Sequence, residues 1–374
     1  MPDVSVFKTE SEGRETVFIN RGGSISDVNK IVPAYRLYTD VDLQKKLVYV
    51  EASRGCPFGC EFCLSSIESS GAGPVREFPL EPFLAEMKTL IERGGRQFKF
   101  LDRTFNLNIE RAERIMEFFL DRIKTAGPET AKGNPICVHF EIVPFHFPPV
   151  LKELIRQFPP GSLRLEVGIQ TFNSKTASLI HRMGNTGEEI EILEFLRNET
   201  NAIVHVDLIA GLPGEDLASF GAGFDRLWQV LSGNGSIDLS GEIQLGILKC
   251  LPGTSIARHN EAYGMRYSAE PPYEVIGTSV LPESDLDRIK NFARFWELIV
   301  NRNPFPVLLK RLLVPGKPAF DKFMNLSGQL LDHFGRNWGI EQADLRKYLE
   351  DLINVNCHPS AEAIQSPPLL KRHN

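Results

Sequence analysis

The 374-residue sequence predicts an α/β fold: an incomplete (β/α)6 barrel followed by a mostly helical C-terminal region. Three observations predict it. Short β-branched or aromatic runs recur at residues 47–50, 98–101, 138–142, 163–167, 204–209 and 243–248. Helical patterns separate most of them, and the alternation stops near residue 265. Strand–helix alternation of this kind implies parallel strands joined by right-handed crossovers, and such a barrel carries its site at the C-terminal strand ends.

Residues 1–45 are polar and mixed, with Gly22-Gly23 and Pro33, and read as an extended leader or linker. The barrel is expected over 46–264. Within it, a helix at 82–93 stops at Gly94-Gly95, a suitable C-terminal signal. A second, at 109–123, sets Ile109, Ala112, Ile115, Met116, Phe119 and Ile123 at three- and four-residue spacing, with Asn108 as N-cap. Residues 187–199 and 216–231 follow the same pattern. Pro271-Pro272-Tyr273 then punctuates the chain, and helices are predicted at 283–300, 318–334 and 341–354, giving an accessory region over 265–358. Residues 359–374, with Ser366-Pro367-Pro368, read as a loose tail.

The strand ends can be tested for chemistry. The first strand runs into Ser53-Arg54-Gly55-Cys56, the second into Asp102-Arg103-Thr104, the fourth into Gly168-Ile169-Gln170 and the fifth into Gly211-Leu212-Pro213-Gly214. Polar and glycine-rich residues therefore gather at one end.

Composition narrows the function. A 42% hydrophobic and 24% charged chain can bury an ordinary core without disulfides. A formal charge of −6 disfavours salt-driven binding of nucleic acid, which needs clustered Lys and Arg. No apolar run approaches the roughly 20 residues that span a membrane, and Met1-Pro2-Asp3-Val4 does not begin a signal peptide. A cytoplasmic protein is expected.

Three of the six cysteines fall in Cys56-Pro57-Phe58-Gly59-Cys60-Glu61-Phe62-Cys63. Thiolates at such spacing let one loop wrap an iron–sulfur cluster, and three ligands to four irons leave one iron open. The alternatives are a structural zinc loop or buried thiols, but zinc usually takes four protein ligands and no second Cys pair follows. Cys137 reads as core, Cys250 ends the sixth strand, and Cys357 lies near the tail. A second signal is the apolar strand His205–Ala210 running into Gly211-Leu212-Pro213-Gly214-Glu215, where glycine lets backbone approach a flat ligand.

The CxxxCxxC spacing with Phe62 before the last Cys resembles the radical S-adenosylmethionine (SAM) superfamily, over about residues 46–260. The resemblance implies a TIM-like radical SAM barrel with a 4Fe–4S cluster on Cys56, Cys60 and Cys63. SAM would chelate the fourth iron and be cleaved on one-electron reduction. Similarity to the oxygen-independent coproporphyrinogen dehydrogenase branch implies SAM contacts from Glu141, Gln170 (ribose), Arg182 (carboxylate) and Asp207, with Gly211 in the adenine-binding segment. Where many members have a Gly-Gly-Glu-like turn for the SAM amine, this chain has Asp102, which is expected to supply an acceptor.

The strings Glu51-Ala52-Ser53-Arg54-Gly55-Cys56, Leu101-Asp102-Arg103-Thr104-Phe105-Asn106 and Gln244-Leu245-Gly246-Ile247-Leu248-Lys249 resemble the cobalamin-dependent radical SAM group. The nearest resemblance is to a subgroup with an uncharacterised C-terminal helical domain, many of whose members are thought to be methyltransferases. Cobalamin is therefore an implied cofactor. Yet 55 residues precede Cys56, fewer than a separate cobalamin domain with its linker needs, so a separate cobalamin-binding protein is an expected partner. A flavodoxin or ferredoxin would donate electrons. The substrate is not legible. A methylthiotransferase is the enzymatic alternative, though no cysteine for a second cluster precedes Cys56. A non-catalytic iron–sulfur carrier is the alternative of another class.

Overall fold

The computed structural model describes residues 4–11, 14–21, 27–66, 75–125, 135–233, 241–314 and 317–357, with backbone alone for 4–21 and 355–357. The expected tail, 359–374, and the side chain of Cys357 lie outside the described residues.

The leader is not featureless. β1 (Val4–Ser11) and β2 (Arg14–Arg21) pair as an antiparallel hairpin. Short α1 (Asp40–Lys45) starts at Thr39, whose hydroxyl accepts from the Asp42 N–H while Asp42 accepts from the Thr39 N–H. This capping box satisfies two otherwise orphaned donors. Its sequence signature uses Asp where Glu or Gln is the usual signal, so the helix was missed.

β3 (Val48–Val50) opens the barrel. β4 (Ser53–Arg54) and β5 (Arg76–Glu77) form a small antiparallel ladder flanking the cysteine loop. The remaining barrel elements alternate: α2 (Leu80–Glu92), β6 (Gln97–Phe100), α3 (Ile109–Thr125), β7 (Cys137–Ile142), α4 (Pro149–Arg156), β8 (Leu163–Gln170), α5 (Ser174–Leu179), α6 (Thr186–Glu199), β9 (Ile203–Ala210), α7 (Leu217–Ser232) and β10 (Gly241–Ile247). Six parallel strands lie in the order β3-β6-β7-β8-β9-β10, each beside its neighbour in sequence. β3 and β10 are the two edges. The expected fold class is the observed one.

Period-two patterning explains how the sheet serves a site. On β8, Leu163, Leu165, Val167 and Ile169 are buried under the helices, while Arg164, Glu166, Gly168 and Gln170 occupy the other, half-buried face. The concave face is thus polar and the outer face is core. Helices α4 and α5 were not read from the sequence. Each is short, at 8 and 6 residues, below the length at which periodicity is legible.

Beyond β10 come β11 (Arg266–Tyr267), β12 (Val275–Gly277), α8 (Glu283–Trp296), α9 (Pro306–Leu312), α10 (Phe320–Phe334) and α11 (Gln342–Cys357). The single helix expected at 283–300 is α-helical to Trp296 and then π-helical over Glu297–Asn301. Of these, α8 and α10 pack directly on α7. Phe224 lies 5.0 Å from Phe292 and 4.7 Å from Trp296, between ring centroids, and Trp228 lies 5.4 Å from Trp296. Gly221 permits the approach, since a Cβ there would stand 2.5 Å from the Phe320 ring.

Candidate cofactor site

The loop after β4 brings Cys56, Cys60 and Cys63 into the lining of a cavity of about 270 Å³ at the C-terminal strand ends. Glu141, Gln170, Arg182 and Asp207 line the same cavity. Four strands and the α5–α6 connection therefore deliver residues up to 151 positions apart along the chain to one space, as the strand-end rule requires. A larger groove, of about 610 Å³, lies outside the barrel between α2, α3 and α4; charged side chains such as Lys88, Arg114 and Asp121 line it, and none of the cysteines does.

The cysteines are free thiols, each partly exposed. Burial raises the Cys56 thiol and pushes Cys60 up to about 11, while the Arg182 charge pulls the other way. Among the described residues no three His, Cys, Asp or Glu side chains converge on a single metal ion. A four-iron cluster asks for something different, one thiolate on each of three irons. Three thiols lining one cavity with the Arg103 and Arg182 cations fit that demand.

Arg182 is held by its neighbours' carbonyls. One guanidinium nitrogen donates to Met183 O at 2.6 Å and another to Gly168 O, leaving further N–H groups toward the cavity. Gln170 has φ +69°, unusual for a residue with a Cβ, at a register shift in the β8–β9 ladder. Strained backbone of this kind collects at functional sites. Gly168 makes it feasible, because a Cβ there would meet the Gln170 amide at 2.5 Å.

The acidic side carries several charges. Glu141 accepts from Arg103 at 3.0 Å, and burial raises its carboxyl despite that partner. Asp207 is pushed up to about 7, by burial first and by Glu166 and Glu141 next. Glu166, bridged to Lys99 and His139 at 3.1 Å each, is held down to about 2, the His139 hydrogen bond being the main cause. Arg103 and Glu166 were missed in the sequence; the alternation of polar residues on β8 was the signal for Glu166.

Two expected residues lie elsewhere. Asp102 does not line the cysteine cavity. It is 2% exposed and accepts from the Ala52 N–H at 2.9 Å and the Ser53 hydroxyl at 2.6 Å, so it anchors the start of the cysteine loop. Its carboxylate is consumed there, and burial raises it to about 6. Gly211, at φ +86°, also stands outside the cavity lining; a Cβ on it would meet Val275 at 2.4 Å, so its glycine answers to packing of the C-terminal region. The next turn residue, Glu215, accepts from the Thr171 hydroxyl at 2.6 Å and ties the ends of β8 and β9 together.

Comparison with known proteins settles the type of barrel. Residues 50–226 match the model of the radical SAM superfamily. This barrel has the radical SAM fold. The C-terminal part of the radical SAM chain, residues 261–357, matches a protein family of unknown function, DUF4080.

Among curated proteins, the ribosomal protein uS12 methylthiotransferase RimO of Porphyromonas gingivalis is 27% identical over 194 residues, covering 49% of this chain and 42% of that protein. An uncharacterised methyltransferase of Pyrococcus horikoshii is 42% identical over 96 residues, covering 22% of this chain and 20% of its own length. The radical SAM chain thus spans less than half the length of either. Of solved structures, the cobalamin-dependent SAM radical enzyme OxsB aligns with TM-score 0.57 at 13% identity, over 94% of this chain and 55% of its own. The methyltransferase TsrM of Kitasatospora setae, with cobalamin and a 4Fe–4S cluster, gives 0.50 at 16% identity, over 74% and 50%. These likenesses establish the fold. No described helix is long and apolar enough to cross a membrane.

Proposed function

We propose that the chain reductively cleaves SAM at a 4Fe–4S cluster on Cys56, Cys60 and Cys63 and so starts radical chemistry, with methyl transfer as the outcome, on a substrate not yet identified. The observation that carries this reading is the shared cavity, which sets the three thiols against Glu141, Gln170, Arg182 and Asp207 in a radical SAM barrel. When bound, the cluster supplies one electron to the SAM sulfonium.

The protein's own work is binding and orientation. Arg182 pairs with the SAM carboxylate through donors its carbonyl partners leave over, and Gln170 reaches the ribose from its bulged strand end. Glu141 and Asp207 accept from the amine side of the ligand. Burial of the cavity strengthens each of these contacts.

The electron comes from a flavodoxin or ferredoxin in a reducing cytoplasm, which suits a chain of free thiols. Cobalamin, if used, comes from a separate cobalamin-binding protein; the sequence strings around Cys56 and Gln244 support it. Anaerobic reconstitution with iron and sulfide, followed by dithionite reduction, tests the core of the reading. The expected product is 5′-deoxyadenosine, lost in Cys60→Ala; a loaded cluster that leaves SAM intact would sink it in favour of a carrier role.

A second reading, methylthiotransferase, is favoured by the 27% identity to the uS12 enzyme. It requires a second cluster, so iron content of about eight rather than four atoms per chain would select it.

A further inference from the structure

Glu61 sits inside the cysteine motif, one residue after Cys60 and two before Cys63, yet it is 2% exposed and does not line the cavity. Its N–H donates to Ile180 O at 3.1 Å. Its carboxylate meets three nitrogen groups from two distant segments. His259 Nε2 lies 2.7 Å from Oε2; His181 Nδ1 lies 3.2 Å from Oε1, which the Arg258 guanidinium also contacts. Arg258 in turn reaches His181 Nε2 at 3.3 Å.

Each partner leads to another part of the cofactor site. His181 has φ +51° and immediately precedes Arg182, so the contact that fixes its backbone also fixes where Arg182 starts. Arg258 and His259 occupy the 3-10 turn Ile256–His259 beyond β10, at the entrance to the family segment of unknown function. His259 packs edge-on to Tyr263 at 5.7 Å, and Tyr263 closes over Gly214, where a Cβ would stand 3.2 Å from its ring. Val275 covers Gly211 in the same way.

A buried carboxylate without partners costs several kcal/mol, and removing one partner strands the other charge. The arrangement is therefore specific for an anion at position 61. A one-residue displacement there would carry both neighbouring cysteines with it.

We propose that Glu61 is a positioning residue: through Arg258, His259 and His181 it locks the cysteine loop to the Arg182 segment, which makes the entrance of the C-terminal region part of the cofactor site. The proposal rests on the cluster reading above. Positioning partners of metal ligands typically alter metal retention about 10–100-fold.

The test uses the full chain, reconstituted anaerobically, and follows iron transfer to a chelator by absorbance, with melting of the metal-free chain measured in parallel. Glu61→Gln is expected to speed iron loss about tenfold, and Glu61→Gln combined with Arg258→Gln to lose iron no faster than Glu61→Gln alone. Asp225→Asn is the control. Asp225 accepts from the Ala319 and Phe320 N–H groups at 2.6 and 2.8 Å, far from the cysteines, so it lowers melting without touching the loop. Wild-type iron release in Glu61→Gln, or equal acceleration in Asp225→Asn at matched loss of melting temperature, overturns the proposal. Should Glu61→Gln fail to fold, His259→Gln reads the same lock from the other side, and wild-type retention in that variant overturns it. A wild-type chain that takes up no cluster instead sinks the cluster reading itself.

Discussion

Asp207 shows how a single residue couples stability to pH. Its ordinary value is 3.8, and burial beside Glu166 and Glu141 moves it to about 7. Between those values the folded chain holds a proton that the unfolded chain has released. The associated stability is fully present below about pH 4 and is lost as pH rises to about 7. Asp207→Asn removes that loss. The metal-free variant is expected to melt above wild type at pH 8 and with it near pH 3.5; equal melting at both values would remove the titration argument. Individual residues were unevenly legible. The three cysteines declare themselves by spacing because the partner proposed for them is a compact cluster. Asp102 and Glu61 do not, since their roles depend on partners 49 and 198 residues away that no local pattern marks.

At the scale of elements, β8 is the most informative. Its alternation was readable, and all six strands were found because β-branched runs and helical spacing differ over lengths of this kind. The bulge at its end was not readable, because a positive φ at Gln170 is a tertiary imposition on a residue that does not favour it. Gly168→Ala tests the bulge. The added methyl displaces a flexible amide rather than backbone, so the expected result is weaker SAM binding by about tenfold, equivalent to ~1.4 kcal/mol, with melting nearly unchanged. Calorimetry of SAM binding to the reconstituted protein checks it, and unchanged affinity would remove Gln170 from the ribose role. The short helix α1 in the leader and the change of helix type inside 283–300 were not readable for a related reason. A capping box with Asp, and a π turn at Glu297–Asn301, are variations too small for periodicity to register.

At the scale of the whole molecule, the barrel and the C-terminal helices share one aromatic core. Trp296 is 1% exposed and touches Phe224, Trp228, Phe292 and Phe323. Trp296→Ala is expected to cost about 3–5 kcal/mol and to lower the barrel and the C-terminal region together in one denaturation transition. Two separated transitions by fluorescence and far-UV dichroism would show that the regions fold independently. The sequence placed a helical region here, but not its docking, because the apolar faces of α7, α8 and α10 name no partner.

The lock on Glu61 also bears on how the protein is made. His259 emerges from the ribosome 198 residues after Glu61, roughly 10–40 s later at ordinary synthesis rates. Until then the three cysteines hang from the first barrel strand without the turn that fixes them. On the proposed lock, cluster loading waits for the Ile256–His259 turn, and a nascent chain stalled before residue 258 would present its thiols to oxygen without the Glu61 contacts.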